Sequence, residues 1–371
     1  MKFILGYFVL LYFISFFNCS SLLSKPMPRL CGWYSEASND SGSTNATEEE
    51  IIRNLKFYKS KGIECVNYWT DLPKYPRAAK IAQKLGLQFY AWLPAMLGLG
   101  ENKKFLFENH PEAYVVTKSG IHAHETPIYG APHYKFLCPN NPIVRNYLKE
   151  MYNNISKIPE VDGINLDYVR YIEQNYWIKY KPDGDTCYCN HCVSSFLKKT
   201  GMNITKHKHP YKVKKWADYR VNVITSFVNE IAEIVHSNGK RISADVYPGP
   251  GLSTIKTRQK WEDWNIDMVF PMIYTDVFKK NTEWIGQQTR EGKVKLKLQK
   301  NRKKPMLYTG LQAEAMSDKD FRRGVELAYE NGAHGICVFK LSNINEEKFD
   351  IMRTETKKFL RREARKKIKK Q

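Results

Sequence analysis

The run Asp162-Gly163-Ile164-Asn165-Leu166-Asp167-Tyr168-Val169-Arg170-Tyr171 decides how this chain reads. Apolar and polar side chains alternate along it, the period-two pattern of a strand. Gly163 to Val169 is therefore read as a strand. Ile164 and Leu166 turn toward covering helices, and Asn165 and Asp167 turn the opposite way. A carboxylate on an inward strand end is costly to bury unless it has a partner or a chemical task. The structural alternative is a salt bridge to Arg170.

Short apolar strands alternate with helical stretches on both sides of this run, the signature of a parallel α/β fold. Seven further strands are expected: Arg29 to Tyr34, Glu64 to Trp69, Leu87 to Leu93, Arg241 to Tyr247, Asp267 to Tyr274, Pro305 to Leu311 and Gly335 to Lys340. Helices are expected over Glu48 to Lys61, Tyr75 to Leu85, Pro142 to Ile155, Lys214 to Ser237 and from a Ser317 cap to Asn331. A tryptophan-rich helix is expected after the fifth strand. Gly62, Gly86, Gly239 and Gly332 stand where helices should stop. Eight strand–helix alternations give a (β/α)8 TIM barrel over residues 29–350, with insertions after strands 3 and 4. The rival doubly wound sheet wants a glycine-rich phosphate loop after its first strand. Here that strand runs into Ser35-Glu36-Ala37-Ser38, which argues against a nucleotide fold.

Sites in such barrels lie at the carboxyl ends of the strands. Asp167 is the first catalytic candidate. Strand five reads Ile242-Ser243-Ala244-Asp245-Val246-Tyr247, with Ser243, Asp245 and Tyr247 on one face. That sets Asp245 beside Asp167, one strand away. Two carboxylates on one cleft can divide into an acid and a base, as glycoside hydrolysis requires. Asp245 also suits a plain orienting acceptor. Tyr274 and Asp276 end strand six, Gln312 and Glu314 end strand seven, and Glu314 is a reserve acid. Trp33, Trp69, Tyr90, Trp92, Tyr247 and Tyr274 lie near strand ends, where aromatic faces suit sugar rings. Trp33, Trp69, Trp92, Asn165, Arg170, Tyr247, Tyr274 and Asp276 are therefore the expected substrate-binding set, with Asp167 and Asp245 the expected catalytic pair.

Residues 162–171, Ile-Ser-Ala-Asp-Val-Tyr (242–247) and Ile-Asp-Met-Val-Phe-Pro-Met-Ile-Tyr (266–274) together resemble bacterial glycosyl-hydrolase-like barrel proteins. The resemblance spans about residues 29–350 and implies a (β/α)8 fold acting on carbohydrate. Pro271-Met272-Ile273-Tyr274 is similar to a chitinase-type sixth strand. Chitinase-type barrels, however, carry a Glu two residues after the strand-four Asp, where this chain has Val169. Amylase-type barrels carry an Arg two residues before it, where this chain has Asn165. Neither template transfers.

Cys187-Tyr188-Cys189-Asn190-His191-Cys192 packs three thiols and an imidazole together in the insertion after strand four. Thiolates and imidazole suit zinc. With three local cysteines, a fourth ligand must come from His191, His207, His209 or a distant residue. The alternative is a disulfide with one spare thiol. A structural zinc is thus a candidate cofactor, and catalysis needs none. His110, His122, His124 and His133, with Glu125, read as loop or substrate-contact residues of the insertion after strand three.

At the amino end, Lys2 precedes an apolar run from Phe3 to Phe17, read as a signal peptide within residues 1–19. Residues 20–28 read as a tether. Cys19 is a candidate lipid-attachment site, so both lipoprotein and simple secretion stay open. Sequons at Asn45, Asn154 and Asn203 decide nothing. No later stretch reaches the ~18 apolar residues of a spanning helix. Net charge is +21, concentrated in Gly292 to Pro305 and Glu355 to Gln371. The second of these, within a basic carboxyl-terminal segment over 351–371, reads as a solvated tail, with polyanion or membrane binding as the alternative. An exported chain meets no nucleic acid. The expected function is an exported glycoside hydrolase acting on a poly- or oligosaccharide; the alternative is a non-catalytic glycan-binding barrel at the cell surface.

Overall fold

Eight parallel strands close into a barrel in sequence order, β1 pairing with β2 and onward until β8 returns to β1. This computed structural model describes residues 25–36, 46–98, 106, 109–125, 135–173, 185–299 and 303–369. The strands are β1 (Leu30–Ser35), β2 (Cys65–Trp69), β3 (Gln88–Pro94), β4 (Gly163–Asp167), β5 (Arg241–Val246), β6 (Met268–Pro271), β7 (Met306–Gln312) and β8 (Gly335–Phe339). The longer helices are α1 (Glu48–Ser60), α2 (Tyr75–Lys84), α3 (Pro142–Ser156), α4 (Asn190–Thr200), α5 (Lys214–Ser237), α6 (Pro250–Thr257), α7 (Glu283–Leu298), α8 (Asp318–Glu330) and α9 (Glu346–Ile368). The expected (β/α)8 architecture is therefore the observed one.

Local chemistry sets the helix ends. Thr47 and Glu50 form a reciprocal capping box on α1: Glu50 N donates to Thr47 Oγ1 at 3.2 Å and Thr47 N to Glu50 Oε2 at 2.9 Å. Asn141 caps α3 ahead of Pro142, and Ser317 caps α8. Gly62 follows α1 with φ 96°, a conformation that a side chain resists.

Most strand ends lie within a residue of the sequence reading, and the larger differences have backbone reasons. β4 stops at Asp167 because Tyr168 turns to φ 47°. β6 stops at Pro271, after which Ile273 N donates to Gly310 O at 2.9 Å and the chain bends away. The tryptophan-rich segment after β5 is one 3-10 turn, Trp261–Asp263, and the helix there is α6, which precedes it. α9 runs unbroken across residue 350.

Trp33, Tyr90, Trp92, Phe270 and Tyr308 fill the barrel interior with Cys31, Cys65 and Cys337. Tyr90 lies across Gly163, where an added Cβ would fall 2.6 Å from its ring. Cys31 and Cys65 are joined as a disulfide between neighbouring strands, with Cα atoms 4.7 Å apart. The floor is closed by residues 25–28, the end of the expected tether. Lys25 Nζ lies 2.5 Å from Asp162 Oδ1, and Gln88 Nε2 donates to Pro26 O at 2.8 Å. The two insertions touch through an antiparallel bridge between Thr117 and Thr186. No described helix is long and apolar enough to cross a membrane. Phe3 to Phe17, Cys19, Asn45 and His133 lie outside the described residues.

Candidate active site

β4 and β5 run side by side in a register that pairs Leu166 with Ala244. The next positions, Asp167 and Asp245, are thus neighbours at the carboxyl end, and both carboxyls line one cavity of about 330 Å³. Trp92 on β3 donates its Nε1–H to Asp167 Oδ2 at 3.1 Å, and the Tyr168 backbone N–H donates to Asp167 Oδ1 at 2.6 Å. The left-handed turn at Tyr168 therefore aims a donor back at the carboxyl before it. Strained non-glycine backbone is concentrated at functional sites.

Asp245 lies deeper, 1% exposed against 8% for Asp167. Trp33 Nε1–H donates to its Oδ2 at 2.9 Å, and Asn165 Nδ2–H to its Oδ1 at 3.1 Å. Burial first, and the charge of Asp167 second, push Asp245 well above the usual carboxylate range; the two N–H donors only partly oppose this. The protonated form of Asp245 is therefore favoured. Burial above all pushes the Tyr274 hydroxyl well up and keeps it a neutral donor.

Trp33, Trp69, Trp92, Arg170 and Tyr274 line the cavity as expected. Trp69 and Trp92 meet edge to face with ring centroids 5.6 Å apart. The Arg170 guanidinium lies 5.0 Å from the Tyr168 ring, 5.3 Å from Phe136 and 5.4 Å from Tyr247. It is held by aromatic faces, which fix its plane at the cavity edge.

Other candidates fall elsewhere. Asn165 is fully buried behind the pair, bonded to Ser243 Oγ at 3.0 Å as well as to Asp245, so it braces rather than lines. Tyr247 turns its hydroxyl to Glu173 Oε2 at 2.7 Å, outside the cavity lining. Asp276 is exposed on a short helical turn, 3.6 Å from Lys279 Nζ, because the strand that was to carry it ends at Pro271. Glu314 is exposed and accepts from Asn343 Nδ2 at 2.6 Å. Tyr90 lies lower in the barrel, with its hydroxyl 3.4 Å from Gln88 Oε1.

Six lining residues escaped the substrate-binding set: Pro94, Tyr168, Met272, Val277, Gln312 and Phe339. Phe339 ends β8 and packs its ring against Trp33, Trp92 and Tyr274. Gln312 ends β7, and its buried Oε1 has no hydrogen-bond partner. A roomier cavity of about 460 Å³ lies at the opposite end of the strands, beside His334 and Phe359. It borders strand amino ends, where sites of this fold do not form.

The fourth member of the cysteine cluster is a distant residue rather than His191, His207 or His209. Cys138, from the insertion after β3, joins Cys187, Cys189 and Cys192, and their sulfurs all lie within 4.8 Å of one another. His191 is exposed and takes part only through its backbone oxygen, which accepts from Asn140 Nδ2 at 3.1 Å. Among the described residues these four cysteines are the one group placed to hold a metal; His122, His124, Glu125, His207 and His209 form none.

A closed parallel barrel with paired carboxylates and an aromatic rim at its carboxyl face defines a glycosidase-type barrel. Residues 77–322 match the family Glycosyl hydrolase-like 10, and the chain belongs to it. No curated protein matches the chain. The catalytic domain of β-amylase from Paenibacillus polymyxa is similar in fold: 11% identity over 86% of this chain and 94% of that one, TM-score 0.58. So is the endo-β-1,4-mannanase of Thermotoga petrophila, with 10% identity, 91% and 78% coverage, and TM-score 0.54. A chitinase from Chromobacterium violaceum gives 7% identity, 89% and 99% coverage, and TM-score 0.51.

Proposed function

We propose that the cleft hydrolyses a glycosidic bond of a poly- or oligosaccharide, with Asp245 as general acid and Asp167 as nucleophile. The observation that carries this reading is the asymmetry of the pair. Two carboxyls on adjacent strands share one cavity, and the deeper one, Asp245, is pushed well above the usual carboxylate range by burial first and by the Asp167 charge second. Divergent pKa values within such a pair assign acid and base.

Adjacent strands lie ~4.8 Å apart, close to the ~5 to 5.5 Å carboxyl gap of retaining enzymes. In the first step an Asp167 oxygen bonds the anomeric carbon as the glycosidic C–O bond breaks. The Asp245 proton passes to the leaving oxygen. In the second step water attacks the anomeric carbon, Asp167 departs as carboxylate, and Asp245 recovers a proton from the water. The indoles of Trp33, Trp69 and Trp92 stack on the sugar, and Gln312 accepts from a hydroxyl.

Export is part of this proposal: residues 1–19 act as a signal peptide, and Cys19 is a site for lipid attachment. The Cys31–Cys65 disulfide supports an oxidising compartment.

The test is turnover of an aryl-glycoside panel by the wild type and by Asp167→Asn, with intact mass after incubation with 2-fluoro glycosides. Loss of at least ~10³-fold in the variant, with binding retained and a glycosyl adduct on Asp167 in the wild type, would support the reading. Full activity in Asp167→Asn overturns it. A wild type that binds glycans but cleaves none leaves the glycan-binding barrel as the function.

A further inference from the structure

We propose that Cys138, Cys187, Cys189 and Cys192 ligate one zinc ion, in a closed tetrathiolate site that ties the two insertions of the barrel together. Cys138 Sγ lies 3.5 Å from Cys192 Sγ and 3.6 Å from Cys189 Sγ. Zinc–sulfur bonds of ~2.3 Å in a tetrahedron put the sulfurs ~3.8 Å apart. The observed spacings are those of ligands around a common centre, and all four sulfurs fall within 4.8 Å of one another.

The backbone is arranged to serve such thiolates. Cys189 is the N-cap of α4 and Cys192 sits in its first turn, a two-residue spacing that aims both sulfurs to one side. Val116 N–H donates to Cys187 Sγ at 3.4 Å. The Tyr171 hydroxyl, buried and without a hydrogen-bond partner, is an electrostatic neighbour of the same sulfurs.

Soft sulfur in four-fold array selects zinc or iron. Four protein ligands leave no open position for water, so the site is structural. Its place in the fold says what it holds. Cys138 precedes α3, and the other three ligands follow β4, so the ion would join segments that also meet through the Thr117–Thr186 bridge, its neighbouring backbone bonds and the Asn140 and Lys118 side chains. Tyr171 follows Arg170, which lines the cleft. The metal therefore buttresses one wall of the cleft, and its binding energy adds to folding.

The experiment is metal analysis and zinc-edge X-ray absorption on the protein purified without added metal, followed by the same on two variants. Expected are about one zinc per chain, four sulfurs at ~2.3 Å, loss of zinc in Cys138→Ser and full retention in His191→Ala. If Cys138→Ser does not fold, the wild-type coordination shell still decides. A shell of three sulfurs and one nitrogen that is lost in His191→Ala, bound iron in place of zinc, or a metal-free protein with these cysteines joined as disulfides in a non-reducing peptide map would each overturn the proposal.

Discussion

The indole N–H of Trp33 on β1 reaches across the barrel to Oδ2 of Asp245 on β5, 2.9 Å away. A bond between opposite strands fixes the deeper carboxyl of the pair. It also lowers that carboxyl's pKa against the rise from burial. Trp33→Phe keeps an aromatic ring but removes the donor. The basic limb of the kcat/KM profile should then move to higher pH. A limb that stays in place while folding is intact would separate Asp245 from the titration that controls turnover.

Asp245 also carries a stability signature. A carboxyl with a raised folded-state pKa favours the fold below its unfolded value of ~3.9, and that contribution is lost as pH rises through the folded value. Burial is the first cause of the rise here. Asn never ionises. The thermal midpoint of Asp245→Asn should therefore fall less than that of the wild type as pH rises above ~3.9. Parallel midpoint curves would contradict the assignment.

Gln312 lines the cleft and has a buried Oε1 without a hydrogen-bond partner. A neutral hydrogen bond contributes ~1 kcal/mol, or about five-fold in affinity. Gln312→Leu should raise KM by roughly that factor, or more where it strands a substrate hydroxyl, with a smaller change in kcat. Unchanged steady-state constants would remove Gln312 from the binding surface.

The floor of the barrel sets the acid limit. Burial opposes ionisation of Asp267, but hydrogen bonds from His236 Nε2 at 2.9 Å, Lys303 Nζ at 2.7 Å and Ile242 N at 2.9 Å prevail and bring it down to about 2. A depressed carboxylate stabilises the fold above its unfolded pKa and loses that contribution as pH falls. The window is from ~3.9 down to about 2, and the shift amounts to about 2 kcal/mol. Asp267→Asn should be destabilised by this order at neutral pH and should show a flatter acid titration of denaturant midpoint. A wild-type-like midpoint would refute it.

Much of this was legible in the sequence because hydrophobic alternation and glycine stops are local signals. They gave all eight strands, and they placed Asp167 and Asp245 side by side. What they missed depends on where a strand bends. Counting alternate residues past Pro271 put Asp276 at the mouth, yet the chain turns there and exposes it. Tyr247 failed in the same way, one residue beyond the end of β5. Asn165 does face inward, but depth along the barrel axis follows from strand stagger, which period two does not report. Phe339 drew no reading of its own, because an apolar residue at a strand end looks the same whether it packs or lines. Cys138 is far from its three partners in sequence, and only the contact between the two insertions brings them together.

Residues 25–28 clamp to the amino ends of the strands through Lys25, Pro26 and Pro28. The cleft opens at the other end. The chain ahead of residue 25 therefore leaves from the sole of the barrel, and whatever the cleft admits can enter without passing that end.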